Sequence, residues 1–163
     1  MNSEFKPIRC GNRNATPYLR KHFEKLCGDF PKNCHIADLG CGNMRNTNYI
    51  RSLGYSNIHS FDKVTSEGIE VDFKIDTIPL PTRSVSIILC NYVLMFLNKI
   101  ERLGLISEMN RMASLDKCFI FVELYPAKKA YPYDQADIYS RFDLDGWSCV
   151  DYVKDRFVVR KGW

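Results

Sequence analysis

The chain reads as one α/β domain whose mostly parallel sheet carries helices on its faces and closes with an antiparallel hairpin. Three observations predict it. Short apolar runs at 34–37, 85–90 and 118–124 alternate with longer segments at helical spacing, a pattern of parallel strands joined by helical crossovers. A two-glycine loop, Gly40-Cys41-Gly42, follows the first run at once and precedes a helical pattern. Two β-rich runs between Trp147 and Val159 meet near Lys154-Asp155, as a hairpin does. With 163 residues, 45% apolar and 26% charged, the chain has the length and composition of one folded domain rather than a disordered or fibrous one.

Residues 1–16 are polar, rich in Asn and Arg and without period; with the helix that follows, up to residue 30, they are expected to form an arm and lid. Thr16-Pro17 is a helix start, because proline at the first helical position gives up no hydrogen bond. Tyr18, Leu19, Phe23 and Leu26 make its apolar stripe, and it ends near Gly28. Cys34 to Ala37 is nearly continuous in apolar side chains, as a central strand covered on both faces requires. Asn46 to Leu53 is a helix terminated by Gly54. Asn57 to Phe61 is a second strand ending at Asp62, and the alternation of Ile69 to Ile75 gives a third nearer the edge. The interval between those two is too short for a full crossover helix. Val85 to Cys90 is the fourth strand. Asn98 with Glu101 is a capping-box start, and Ile100, Leu103, Leu105, Ile106, Met109 and Met112 supply one broad apolar face to the helix that follows. Cys118 to Leu124 is the fifth strand and Asp134 to Phe142 a short helix. With the hairpin, a sheet of seven strands is expected.

Bulk properties narrow the function classes. No apolar run reaches the length of a membrane span, Val85 to Leu97 being interrupted by Ser86 and Asn91. Met1 to Lys6 lacks the apolar region of an export signal, so a cytoplasmic location is expected. Seven cysteines (10, 27, 34, 41, 90, 118, 149) form no C-x-x-C pair, which fits reduced, mostly buried thiols and supports neither zinc nor a disulfide framework. A net charge of +4 with dispersed lysines and arginines is weak ground for a nucleic-acid surface.

The chemistry sits at Asp38-Leu39-Gly40-Cys41-Gly42. Glycines lack Cβ, so the backbone can turn sharply there and approach a ligand where strand ends and helix amides converge. A dinucleotide fingerprint would place a third glycine at position 45, where this chain has Arg45. S-adenosylmethionine carries an ammonium and a sulfonium instead of a pyrophosphate. Asp38 before the glycines suits that charge, and Asp62 at the tip of the second strand can accept both ribose hydroxyls.

The stretch Asp38-Leu39-Gly40-Cys41-Gly42-Asn43-Met44-Arg45-Asn46-Thr47 resembles motif I of the class I S-adenosylmethionine-dependent methyltransferases, which have a Rossmann-like fold. Within that group the chain is most similar to tellurite-resistance-type enzymes, through Gly54-Tyr55, Asp62-Lys63 and Val93-Leu94-Met95-Phe96-Leu97. The resemblance spans roughly 34–124. It implies that Asp38, Gly40 and Gly42 contact the amino-acid end of the cofactor and Asp62 the ribose, with Cys41, Asn43 and Lys63 also binding the cofactor. It also implies that Asp76 lies beside the adenine, with Asp72 as its rival, that Thr77 binds the cofactor, and that Cys90, Asn91 and Tyr92 form the floor. Met44 replaces a glycine usual in the family, Thr47 replaces a serine, and the segment between strands two and three is cut down.

No general base stands out. Methyl transfer tolerates that, since a sulfonium is already a reactive donor and in-line positioning can supply most of the acceleration. If an acceptor must lose a proton, Tyr92, Glu123, Tyr125 and Asp134 are the candidates. Only Asn and an aromatic remain of the D/N/S-P-P-Y/F motif of DNA amino-methyltransferases, at Asn91-Tyr92. With no separate recognition domain, the expected acceptor is a small molecule. RNA or protein acceptors, and an inactive cofactor-binding regulatory domain, are the alternatives.

Overall fold

A computed structural model describes residues 14–63, 71–72 and 77–162. Its strands are β1 (Ile36–Leu39), β2 (Ile58–Asp62), β3 (Val71–Asp72), β4 (Ile87–Asn91), β5 (Lys117–Glu123), β6 (Ser148–Val153) and β7 (Arg156–Gly162). The helices are α1 (Pro17–Cys27), α2 (Arg45–Ser52), α3 (Lys99–Met112) and α4 (Gln135–Leu144), with a 3₁₀ turn at Leu94–Phe96. The sheet order is β3-β2-β1-β4-β5-β7-β6. Neighbours from β3 to β5 are parallel, and the last two strands join antiparallel as the expected hairpin. Six strands of at least four residues carry the sheet, and the two-residue β3 adds a pairing at one edge. Of the strand expected at 69–75, only Val71–Asp72 falls among the described residues.

Successive strand side chains point to opposite faces, and two cores result. Ile36, Ile58, Ile87, Leu89, Phe119 and Phe121 meet Leu19 and Phe23 of α1 and Ile50 of α2 on one face. Ala37, Leu39, Ile88, Cys90, Ile120 and Val122 meet Leu105, Met109 and Met112 of α3 and Ile138 and Phe142 of α4 on the other.

The helix assigned to a lid is a wall of the core. Thr16 caps α1 by accepting from the Leu19 amide at 3.3 Å, and Pro17 opens it. Leu19, Phe23 and Cys27 are 0% exposed, and lifting the helix would re-expose each large side chain at about 1.5–3 kcal/mol. The arm at 1–13 lies outside the described residues.

In α3 the capping box is present, with Asn98 Oδ1 accepting from the Glu101 amide at 3.0 Å and Glu101 Oε2 from the Asn98 amide at 2.8 Å. Its apolar face is narrower than expected. Ile100 is 81% and Leu103 40% exposed, because at about 100° per residue both lie well off the Leu105, Met109 and Met112 stripe.

The first strand starts at Ile36, two residues later than its apolar run, and takes in Asp38 and Leu39. Pairing decides this: Asp38 registers with Ser60 of β2 on one side and Leu89 of β4 on the other. No described helix is long and apolar enough to cross a membrane.

Candidate functional site

Chain direction out of β1 is set by left-handed backbone. Gly40 has φ 71° and Gly42 φ 55°, with Cys41 between them. A Cβ at Gly40 would collide with the Val93 Cγ2 methyl beyond β4, whereas one at Gly42 would meet nothing within 4 Å. Gly40 therefore lets two loops touch, and Gly42 borders open space. Met44 follows with φ 62° as the N-cap of α2, 8% exposed and without a side-chain cap bond. The conformation that glycine favours is thus kept at position 44 by a buried methionine, at a backbone cost of about 1–2 kcal/mol.

Two strands and α2 bring carboxylates or their partners to this loop. Asp38 is 2% exposed and accepts from Thr47 Oγ1 of α2 at 2.6 Å. Thr47 also lies 2.8 Å from Ser60 Oγ of β2. Burial, aided by the nearby Asp62 charge, pushes Asp38 up to about 6 against the opposing pull of the Thr47 hydrogen bonds. Asp62, at the end of β2, accepts from the Gly42 amide at 2.7 Å. The Cys41 amide donates to the Phe61 carbonyl at 2.9 Å, tying the loop to β2. Asn43 is exposed and its Oδ1 takes the Arg45 amide at 3.3 Å. Lys63 and Thr77 are exposed, and Asp76 lies outside the described residues.

A second constellation sits at the carboxyl ends of β4 and β5. Glu123 is 0% exposed. One carboxylate oxygen accepts from Thr16 Oγ1, the cap of α1, and from Asn91 Nδ2 at 2.8 Å. The other accepts from the Tyr92 hydroxyl at 3.1 Å and pairs with Arg156 Nε at 3.4 Å. Asn46 Oδ1 of α2 takes the Thr16 amide at 3.1 Å, so both helices of this face are fastened here. Tyr92 has φ 59°, its amide bonds the Glu123 carbonyl at 2.7 Å, and the Arg45 guanidinium lies 5.8 Å from its ring centre.

These contacts decide among the candidate bases. Burial and then the Glu123 charge raise the Tyr92 phenol above its usual value, so at neutral pH it is a donor and a poor proton acceptor. Glu123 is enclosed and occupied. Tyr125 is 61% exposed, with its amide against Met95 Sδ, and takes no part in the network. Asp134 caps α4 by accepting from the Ala136 amide at 3.0 Å. This edge is a closed hydrogen-bond network around Glu123.

One atom in the cluster is unsatisfied. Asn91 Oδ1 is buried and has no hydrogen-bond partner among the described residues, a condition that costs about 1–3 kcal/mol. No local pattern marks Thr16 or Arg156 as members of this cluster. Arg156 reaches Glu123 only through the antiparallel register of β5 with β7.

No protein-family model and no curated protein matches the chain. Solved structures do. An S-adenosylmethionine-dependent methyltransferase from Archaeoglobus fulgidus is 11% identical with a TM-score of 0.67, over 90% of this chain and 94% of its own. One from Aquifex aeolicus is 17% identical with a TM-score of 0.59, over 89% and 92%. A Burkholderia thailandensis 1,6-didemethyltoxoflavin-N1-methyltransferase, solved with 1,6-didemethyltoxoflavin and S-adenosylhomocysteine, is 13% identical with a TM-score of 0.63, over 80% and 72%. At such identities the likeness shows a shared fold, and that fold is Rossmann-like.

Proposed function

We propose that this chain binds S-adenosylmethionine at the carboxyl ends of β1, β2 and β4 and transfers its methyl group to a small-molecule acceptor. The observation that carries the proposal is the pairing of the open Gly42 turn with two carboxylates, buried Asp38 and strand-end Asp62. A sheet-order reversal lies beside it, since chain order runs outward from β1 to β2 but resumes across β1 at β4, the place where such folds bind ligands. The likeness in fold to methyltransferases, one of them holding S-adenosylhomocysteine, supports the choice of cofactor.

The donor set fits the group. Asp38 would offset its ammonium, Asp62 would accept from its ribose hydroxyls, and the missing Cβ of Gly42 leaves room for close approach. When bound, the cofactor supplies an electrophilic methyl on sulfur. The chain's own task is orientation. Gly40 and Val93 lock the loops after β1 and β4 against each other, while Glu123 fixes Asn91 and Tyr92.

The resemblance to tellurite-resistance-type enzymes, with Tyr92 and Glu123 bonded to each other and Asp134 capping α4, supports a small, soft or already deprotonated acceptor, which needs no base. Titration calorimetry with S-adenosylhomocysteine tests the cofactor: micromolar binding that weakens at least tenfold in Asp62→Ala is expected, and no binding to the wild type would sink the proposal. Incorporation of labelled methyl groups into lysate fractions tests the acceptor, and label confined to RNA or protein would overturn the small-molecule reading.

A further inference from the structure

We propose that the cleft between α3 and α4 is a second small-molecule site, one that takes a monocarboxylate with a short apolar body and seats the carboxylate on Arg102 and Lys99. It is separate from the site proposed above. None of Asp38, Gly42, Asp62, Asn91 and Tyr92 lines it, so it stands or falls independently of the cofactor reading.

The cleft encloses about 390 Å³, at the small end of the roughly 300–1,000 Å³ that small-molecule sites occupy. Its floor is apolar. Ile106 of α3 and Ile138 of α4 are each 3% exposed, and Leu103, one turn before Ile106, is 40% exposed on the same cleft. Tyr131 and Tyr133 of the loop after β5 add an aromatic wall. That wall is tied down, since the Tyr131 amide donates to the Met95 carbonyl at 2.9 Å and the Tyr133 hydroxyl to Asp155 Oδ1 at 3.1 Å. An apolar ligand body is favoured here by burial, and the charges around it decide its polar end.

Three cations, Lys99, Arg102 and Arg141, and two carboxylates, Asp134 and Asp137, line the cleft. Both carboxylates are engaged. Asp137 pairs with Arg141 at 3.8 Å, and Asp134 accepts from the Ala136 amide at 3.0 Å as the cap of α4. Glu101, the next acid on α3, is turned back onto the Asn98 amide at 2.8 Å and does not line the cleft. Lys99 and Arg102, on the first turn of α3, are left without a carboxylate in salt-bridge distance among the described residues. Burial lowers the Arg102 pKa below its ordinary value, and the more distant Asp137 charge does not make up for it. Such a cation gains from an anion brought to it.

Arg102 is also preorganised. Its Nε donates to the Leu94 carbonyl at 2.7 Å, Nη1 to the Pro132 carbonyl at 3.2 Å and Nη2 to the Tyr131 carbonyl at 3.4 Å. These bonds use three of the five N–H donors of a guanidinium and fix its plane, leaving one donor on each terminal nitrogen for a carboxylate. An ammonium would be repelled, an alcohol would leave the charge unmet, and a dianion would meet Asp134 and Asp137.

Wild type is titrated calorimetrically with octanoate, and with 1-octanol, octylamine and octyl phosphate as comparators. The expected dissociation constant for octanoate is about 1 mM or tighter, with each comparator at least fivefold weaker. Leu103→Glu, at an exposed position, and the double variant Lys99→Gln with Arg102→Gln should each weaken octanoate at least fivefold, with thermal unfolding confirming that they fold. Weaker octanoate binding to the wild type, a comparator within fivefold of it, or a loss under fivefold in either folded variant overturns the inference. Should a variant not fold, the crystal structure of the wild type with octanoate decides in its place. A carboxylate within hydrogen-bond distance of Arg102 supports the site, and octanoate bound elsewhere or not at all removes it.

Discussion

The carboxyl ends of β1–β2 and of β4–β5 lie side by side on one sheet edge but are built in opposite ways. The first is made of backbone: two left-handed glycines, an amide on Asp62, and open space above Gly42. The second is made of side chains closed around the fully buried Glu123, with Thr16, Asn91, Tyr92 and Arg156 drawn from three parts of the chain. Backbone-built edges leave room and donors for a ligand, whereas a side-chain network fixes geometry and holds distant elements together. One edge stands open, and the other is closed.

Breaking the second edge is expected to have the largest effect on stability. Glu123→Ala orphans the Asn91, Tyr92 and Thr16 donors and the Arg156 charge at once, and should cost about 3 kcal/mol or more in denaturant unfolding. A loss under 1 kcal/mol would mean that the network does not hold α1 and β7 to the sheet.

The first edge should show itself in pH dependence. Asp38 titrates at about 6 in the fold and near 3.9 in the unfolded chain. Below both values the group is protonated in both states, and its contribution to stability is fully present. As pH rises through this window the unfolded chain ionises first, so on the order of 3 kcal/mol is lost by the time pH passes 6. The difference in unfolding free energy between wild type and Asp38→Asn, followed from about pH 2.5 to 7, should change by that amount. A cationic ligand binds the ionised form, so S-adenosylhomocysteine affinity should climb as pH rises toward and through 6, and a flat profile would remove Asp38 from the site.

A smaller contrast separates the glycines. Gly40→Ala combines a left-handed φ with the Val93 collision and should cost about 2–4 kcal/mol. Gly42→Ala meets no neighbour and should cost only the strain, about 1–2 kcal/mol, while lowering cofactor affinity at least tenfold. Equal stability losses would show that Gly42 is a structural turn and not a ligand surface. The smallest effect on folding is expected from Asp62→Asn, under about 1 kcal/mol because the Gly42 amide keeps an oxygen acceptor, and its signature is weaker binding with nearly unchanged unfolding.

These differences follow from how far apart the partners are in the chain. Asp38, Gly40, Gly42 and Asp62 were legible as a candidate site because each sits where a run of apolar residues ends, and strand ends beside glycines are where such folds bind ligands. Glu123 was legible only as a polar residue at the end of a strand. Its bond to Thr16 joins residues 107 positions apart, and no local pattern encodes that. Ile100 and Leu103 misled because hydrophobicity alone does not say which side of α3 faces the sheet, and the helix rotation is set by the Leu105, Met109 and Met112 stripe.

By itself the sequence determined the element order, the terminal hairpin, the caps of α1 and α3 and the acidic glycine loop, since all of these depend on residues within one turn or one strand of each other. Tertiary structure alone decided that α1 is core rather than lid, that Met44 occupies a glycine conformation while buried, and that Tyr92 is a tethered donor. It also turned the amide nitrogen of Asn91 onto Glu123. Each of those outcomes is fixed by packing and by strand register, and neither is written in any short stretch of chain.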